Sequence, residues 1–109
     1  MSDIKEITEA LIKFRDDRDW GQFHNAKDLS IALSIESGEL MEEFLWKTHE
    51  EANIEKIKEE LADVFSYAFL LANRCNLDVK DIVLEKIKKN NEKYPVEKSK
   101  GSAKKYTEL

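Results

Sequence analysis

IESGELMEE, residues 35–43, packs four glutamates and a glycine into nine positions whose flanks keep helical spacing. At ~100° per residue, Leu29, Leu33, Leu40 and Phe44 form one apolar stripe. Glu36 falls in the middle of that stripe. Glu39 and Glu43 lie at its edge, and Glu42 points away. A solvated helix face carries glutamates for solubility alone. A carboxylate inside an apolar stripe needs a compensating partner, because burying it unpaired costs several kcal/mol or forces protonation.

Three further helices flank this one. Ile4, Ile7, Leu11 and Phe14 repeat at helical spacing behind Ser2 and Asp3, which can cap, and this helix is expected to end near Asp19. Residues 20–25, WGQFHN, read as a loop of large side chains. Asp28 is expected to cap the second helix, running to about Trp46. The third spans about Asn53 to Arg74, with Ile57, Leu61, Val64, Ala68 and Leu71 on one stripe, and Asn76-Leu77 breaks it. Asp78 caps a fourth helix to about Lys93, stopped at Tyr94-Pro95 because a residue before proline leaves the α region. The remainder, 95–109, reads as a polar basic tail. The fold expected is all-α, an antiparallel four-helix bundle within one domain of residues 1–109, with its helical core at about 3–94.

Bulk composition agrees. The chain has 109 residues, one proline and three glycines, with 38% charged and 41% hydrophobic residues. That balance favours long helices over a turn-rich β fold. A net charge of -5 argues against nucleic acid as the main partner. The one cysteine, Cys75, excludes an internal disulfide and a cysteine-cluster metal site, and is expected as a small core residue. No apolar run approaches the ~20 residues of a membrane span, and MSDIKEITEA is no signal peptide, so a cytoplasmic protein is expected. Phe65, Phe69 and Leu70 add apolar faces to the third helix, which suggests a homo-oligomer, dimer or tetramer.

A second carboxylate pair matches the first. Glu60 and Asp63, with Tyr67 one turn on, line the edge of the third helix's stripe. Glu36/Glu39 and Glu60/Asp63 are both i, i+3 pairs, which are neighbours on a helix. Four converging carboxylates need a cation, and Lys86 and Lys93 are the best basic candidates. A hard divalent ion is the simpler answer: oxygen ligands without His or Cys favour Mg2+ or Mn2+ over zinc. The other reading is chance pairing on solvated faces in a chain with 23 acidic residues.

The paired motifs resemble the MazG-like all-α nucleoside triphosphate pyrophosphohydrolases, most nearly the branch holding the dCTP pyrophosphatases. Glu36/Glu39 in ALSIESGELMEEFLWK and Glu60/Asp63 in KEELADVFSYAFLLANRC carry the likeness. RDWGQFH (18–24), NNEKYP (90–95) and KKYTEL (104–109) extend it over nearly the whole chain. The resemblance implies Mg2+-dependent hydrolysis of a triphosphate, dCTP or a modified dCTP foremost, to the monophosphate and pyrophosphate, as nucleotide-pool house-cleaning. It implies Glu36, Glu39, Glu60 and Asp63 as metal ligands and catalytic carboxylates. Two positions depart from the family. Ile35 stands where many members carry an extra Glu, and Leu11 where animal dCTP enzymes carry a histidine. The all-α dUTP pyrophosphatases share the carboxylate pattern, and a non-catalytic acidic helical module is the rival outside enzymes.

The resemblance also implies substrate contacts. Trp20 and Trp46 are expected as stacking walls for the base, against the plainer role of core anchors. His24 is expected to contact substrate or cap its loop. Tyr67 is expected at the sugar and Asn90 at the substrate. Arg74, Lys86, Lys93 and Lys105 are expected at the phosphates, against the common fate of solvated charges. Lys104, Lys105 and Tyr106 belong to a tail that can fold over a triphosphate.

Overall fold

The computed structural model describes residues 2–109. Among them are five α-helices and no strand: α1 (Asp3–Asp17), α2 (Ala26–Glu42), α3 (Ile54–Arg74), α4 (Val79–Lys93) and α5 (Val96–Ser99). Short 3-10 turns cover Gly21–Phe23 and Tyr106–Glu108. The chain forms two compact units, one ending at Leu77 and the other running from Asp78 to Leu109. Among the described residues, no helix is long and apolar enough to cross a membrane.

Side-chain caps start each long helix. Ser2 accepts from the Lys5 amide, Asn53 from Glu55 and Lys56, and Asp78 from Asp81. Each satisfies an amide that the helix leaves unpaired, worth ~1 kcal/mol. The cap of α2 is Asn25, not Asp28: Asn25 accepts from the Asp28 amide at 2.8 Å, and its own amide donates to the Asp28 carboxylate at 2.8 Å. Asp28 is therefore the inner partner of a reciprocal cap rather than the cap itself.

α1 and α3 end in the same way. Asp19 (φ 54°) and Asn76 (φ 57°) take left-handed backbone, a region in which Asp and Asn are enriched among non-glycine residues. The Trp20 amide then reaches back to Arg15 O at 3.0 Å, and the Leu77 amide to Ala72 O at 2.9 Å. With Asp19 N bonded to Asp16 O and Asn76 N to Asn73 O, both ends are Schellman motifs. α2 stops at Glu42, four residues short of the expected Trp46. The chain there passes through turns, and Trp46 itself is left-handed (φ 61°) and 94% exposed.

In the first unit, α3 packs along α2 and touches α1. Its core is small: Leu29 on α2, with Leu70 and Ala72 on α3, are the buried apolar residues described. Cys75 is exposed, not in the core, because it is the C-cap beyond the last turn of α3. The second unit holds α4, α5 and the final 3-10 turn. Residues 95–109, expected as a plain tail, include the last two of these. Tyr106 meets Tyr94 edge-on at 6.0 Å, with the Lys93 ammonium 5.0 Å from its ring centre, and these contacts give the segment a place to rest.

Candidate functional site

Packing α2 against α3 brings the two carboxylate pairs together. Glu36, Glu60 and Asp63 each offer an oxygen, and these oxygens lie within 4.8 Å of one another. Glu36 and Glu60 each bury one oxygen, Oε2, that has no hydrogen-bond partner. An unsatisfied buried carboxylate oxygen is costly, so such groups are usually paired or bound to a cation.

The electrostatics follow from that crowding. Burial pushes Glu36 up to about 7, helped by the neighbouring Glu39 carboxyl as hydrogen-bond partner and like charge, and by Asp63 and Glu60. Burial also raises Glu60, with Glu39, Asp63 and Glu43 adding to the effect. Exposed Glu39 thus completes the cluster from the α2 side. Without a counter-ion, the site holds protons where isolated carboxylates would be ionised. The donor set is all oxygen, strongly anionic and short of hydrogen bonds, which fits a hard divalent ion such as Mg2+.

Beside the carboxylates, between α1, the Gly21–Phe23 turn and α3, lies a cavity of about 260 Å3. Its walls are largely apolar and aromatic: Leu11, Phe14, Trp20, Tyr67 and Leu70. Phe14 and Trp20 meet edge-on at 5.8 Å, and the Arg18 guanidinium covers the Phe14 ring at 3.7 Å, fixing the wall from outside. His24 and Tyr67 meet edge-on at 6.5 Å. Burial, then the nearby Arg15 charge, hold His24 below its ordinary value. Burial and the charges of Glu36, Asp63 and Glu39 raise the Tyr67 phenol, which is therefore a neutral donor at neutral pH. Asp63 belongs to both features: it lines the cavity and is a member of the carboxylate cluster.

Trp20, His24 and Tyr67 thus converge with the four carboxylates. Trp46 does not line this cavity; it borders a shallow apolar depression with Met41, Phe44 and Leu45. Arg74 lies exposed in the last turn of α3. In the second unit, Lys86 is an exposed residue of α4, Asn90 is half-buried, and Lys93 faces Tyr106. Lys105, also exposed, precedes the final 3-10 turn. Sequence pattern puts Glu43 at the edge of the α2 stripe beside Glu39 without giving it a role, and does not single out Arg15 or Ser66. Spacing could have found Ser66, three residues beyond Asp63.

Known proteins share this architecture. A family model described as MazG-like matches residues 31–109. The dCTP pyrophosphatase 1 of Mus musculus is 40% identical over 114 residues, covering 97% of this chain and 67% of that protein. The Homo sapiens protein of the same name is 39% identical, with the same coverage of each chain. The crystal structure of a pyrophosphatase from Archaeoglobus fulgidus superposes with a TM-score of 0.81 at 32% identity, over 87% of this chain and 94% of that one.

Proposed function

The chain belongs to the MazG-like family and is a nucleoside triphosphate pyrophosphohydrolase, and from that premise we propose that it hydrolyses dCTP or a base-modified dCTP to the monophosphate and pyrophosphate. The observation that carries this reading is Asp63, shared between an aromatic cavity and a carboxylate cluster. At about 260 Å3 the cavity is smaller than the ~300–1,000 Å3 of drug-sized sites, which suits one base rather than a whole nucleotide. A base held there directs its phosphates toward Asp63 and the cluster. The role is house-cleaning of the nucleotide pool.

Each side chain has a part in this scheme. Trp20 stacks on the base, and His24 and Tyr67 close the opposite side, with the Tyr67 phenol available to the sugar. Glu36, Glu39, Glu60 and Asp63 hold Mg2+, for which Mn2+ can substitute. When bound, the ion neutralises charge on the triphosphate and acidifies a water ligand. A carboxylate of the cluster accepts the proton that the attacking water gives up. Arg74, Lys86, Asn90, Lys93, Lys105 and Trp46 enter through the family resemblance alone, as substrate contacts. The protein works as a homo-oligomer, dimer or tetramer, a reading supported by the exposed Met41 (70%), Ile54 (71%) and Trp46 (94%).

The test is pyrophosphate release from a panel of canonical and modified nucleotides, with Mg2+ and with EDTA. Mg2+-dependent release, fastest from a cytosine deoxynucleotide, is expected. Preference for dUTP would move the substrate to the all-α dUTP pyrophosphatase type. No release from any nucleotide by folded, metal-supplied protein would end the substrate reading.

A further inference from the structure

Among the described residues, Arg15 is the one cation lining the cavity, and the proposed reaction gives it no task. It lies in the last turn of α1, three residues before the C-cap Arg18, and its side chain is only 19% exposed. Its carbonyl accepts from the Arg18 and Trp20 amides, which ties the backbone beneath it to the loop carrying Trp20. Its Nε donates to the Asp16 carboxylate at 2.9 Å. Gly21 runs alongside: a Cβ there would stand 3.4 Å from Nε and 3.8 Å from Cδ. The stem and Nε are therefore held between Asp16 and the Gly21 backbone. Among the described residues, no hydrogen bond engages the terminal Nη groups.

Ser66 lines the same cavity from α3. Its hydroxyl donates to the Ala62 carbonyl at 2.8 Å, so its proton is already committed and its oxygen can only accept. A guanidinium can only donate, and it presents its N–H groups as a planar fork. The cavity thus offers a paired donor, Arg15, from α1 and, on α3 beside the Asp63 carboxylate and the Tyr67 phenol, a neutral hydroxyl acceptor, Ser66.

We propose that Arg15 and Ser66 select the base, with Arg15 donating to O2 and N3 of cytosine and Ser66 accepting from the N4 amino group. The proposal rests on the proposed hydrolysis of dCTP and deepens it. Cytosine places two adjacent acceptors beside one donor along its ring edge, complementary to this pair. Uracil carries a proton on N3, which would meet the donating fork, and an oxygen at C4, which would meet the lone pairs of Ser66. A site that leaves its own polar groups unpaired against the wrong ligand discriminates strongly. In this scheme Arg15 and Ser66 choose between cytosine and uracil, while the carboxylates act on any triphosphate.

The experiment compares dCTP and dUTP as Mg2+-supported substrates for the wild type, Arg15→Ala and Arg15→Gln, and measures dCMP and dUMP binding to the metal-free wild type. Loss of the Arg15 bonds is expected to lower kcat/KM for dCTP by about 10- to 100-fold and to leave dUTP nearly unchanged, collapsing the ratio. An equal fall for both substrates would make Arg15 a phosphate or folding residue and overturn the proposal, as would an unchanged ratio. The binding arm needs no turnover and no variant. Wild type that binds dUMP as tightly as dCMP overturns the base selection even if both variants misfold. Wild type that prefers dCMP yet hydrolyses no triphosphate keeps the base selection and removes the proposed reaction.

Discussion

Glu36 on α2 and Glu60 on α3 bring carboxylate oxygens within 4.8 Å of each other and of Asp63, and each of the two glutamates buries one oxygen, Oε2, that has no hydrogen-bond partner. Such an arrangement is poor for stability and useful for binding a cation. Replacing Glu36 by Gln removes one of the crowded charges. The variant is expected to lose turnover by at least about a hundredfold, because a metal ligand is gone. Its metal-free form is expected to melt at or above the wild-type temperature. Rate assays with Mg2+ and thermal melts in EDTA check both halves. Normal turnover by Glu36→Gln would refute the metal-site assignment.

The raised pKa values of Glu36 and Glu60 give a pH dependence with a definite sign. Glu36 titrates near 7 in the folded chain against an ordinary value of 4.5. Between those values the folded state keeps a proton that the unfolded state gives up. The stability this provides is complete below the unfolded value and is lost as pH rises through about 7. The Glu60 shift acts in the same direction. EDTA-treated protein should therefore melt at a lower temperature at about pH 8 than at about pH 5.5. Ion binding requires the ionised carboxylates, so Mg2+ affinity should rise over the same interval. Calorimetric melts and titrations read the two trends. A melting temperature in EDTA that climbs across this interval would contradict the burial argument.

Much of this site is legible as spacing. The i, i+3 pairs Glu36/Glu39 and Glu60/Asp63 sit on or beside apolar stripes, so helical period alone turns Glu36 and Glu60 inward and sets Glu39 and Asp63 at the exposed edge. Ser2, Asn53 and Asp78 announce three helix starts through cap chemistry. The errors have physical causes. Asn25 and Asp28 are both able caps and bond each other, so composition does not rank them. Nothing in the chain marks Trp46 as left-handed, so the expected end of α2 falls too late. Arg15 lies in FRDDRD, where a basic residue reads as solvated charge. It is sheltered by the turn at residues 18–23, a tertiary fact with no periodicity. The weak core, with Leu29 nearly sealed but Phe65 half exposed, shows in the sequence only as a surplus of apolar faces.

Trp20 lines the cavity and is itself 44% exposed, so it has ring surface to give a base. Stacking on an aromatic side chain is worth ~1–3 kcal/mol per base, which corresponds to about a 10- to 100-fold change in affinity. Trp20→Ala is expected to raise KM for the preferred nucleotide by that amount and to affect kcat less. In a Trp46→Phe background, nucleotide binding should quench the remaining indole fluorescence. A Trp20→Ala enzyme with unchanged KM would place the base elsewhere.

The exposed apolar surface of α3 makes the last prediction. Phe65 is 52% exposed and stacks on Phe69 with ring centres 5.9 Å apart. With Ile7 and Ala62 these rings line a shallow apolar depression. A chain that buries so few of its large apolar residues gains by covering such a patch with a second copy. Light scattering at micromolar concentration is expected to give a mass that is a multiple of 12.7 kDa. Phe65→Lys puts a charge where the partner would pack, and should lower that mass while leaving the helical circular dichroism in place. Wild-type protein that runs at 12.7 kDa across the concentration range would remove the oligomer from the reading. A Phe65→Lys variant with undiminished mass would instead move the interface to the patch around Met41 and Trp46.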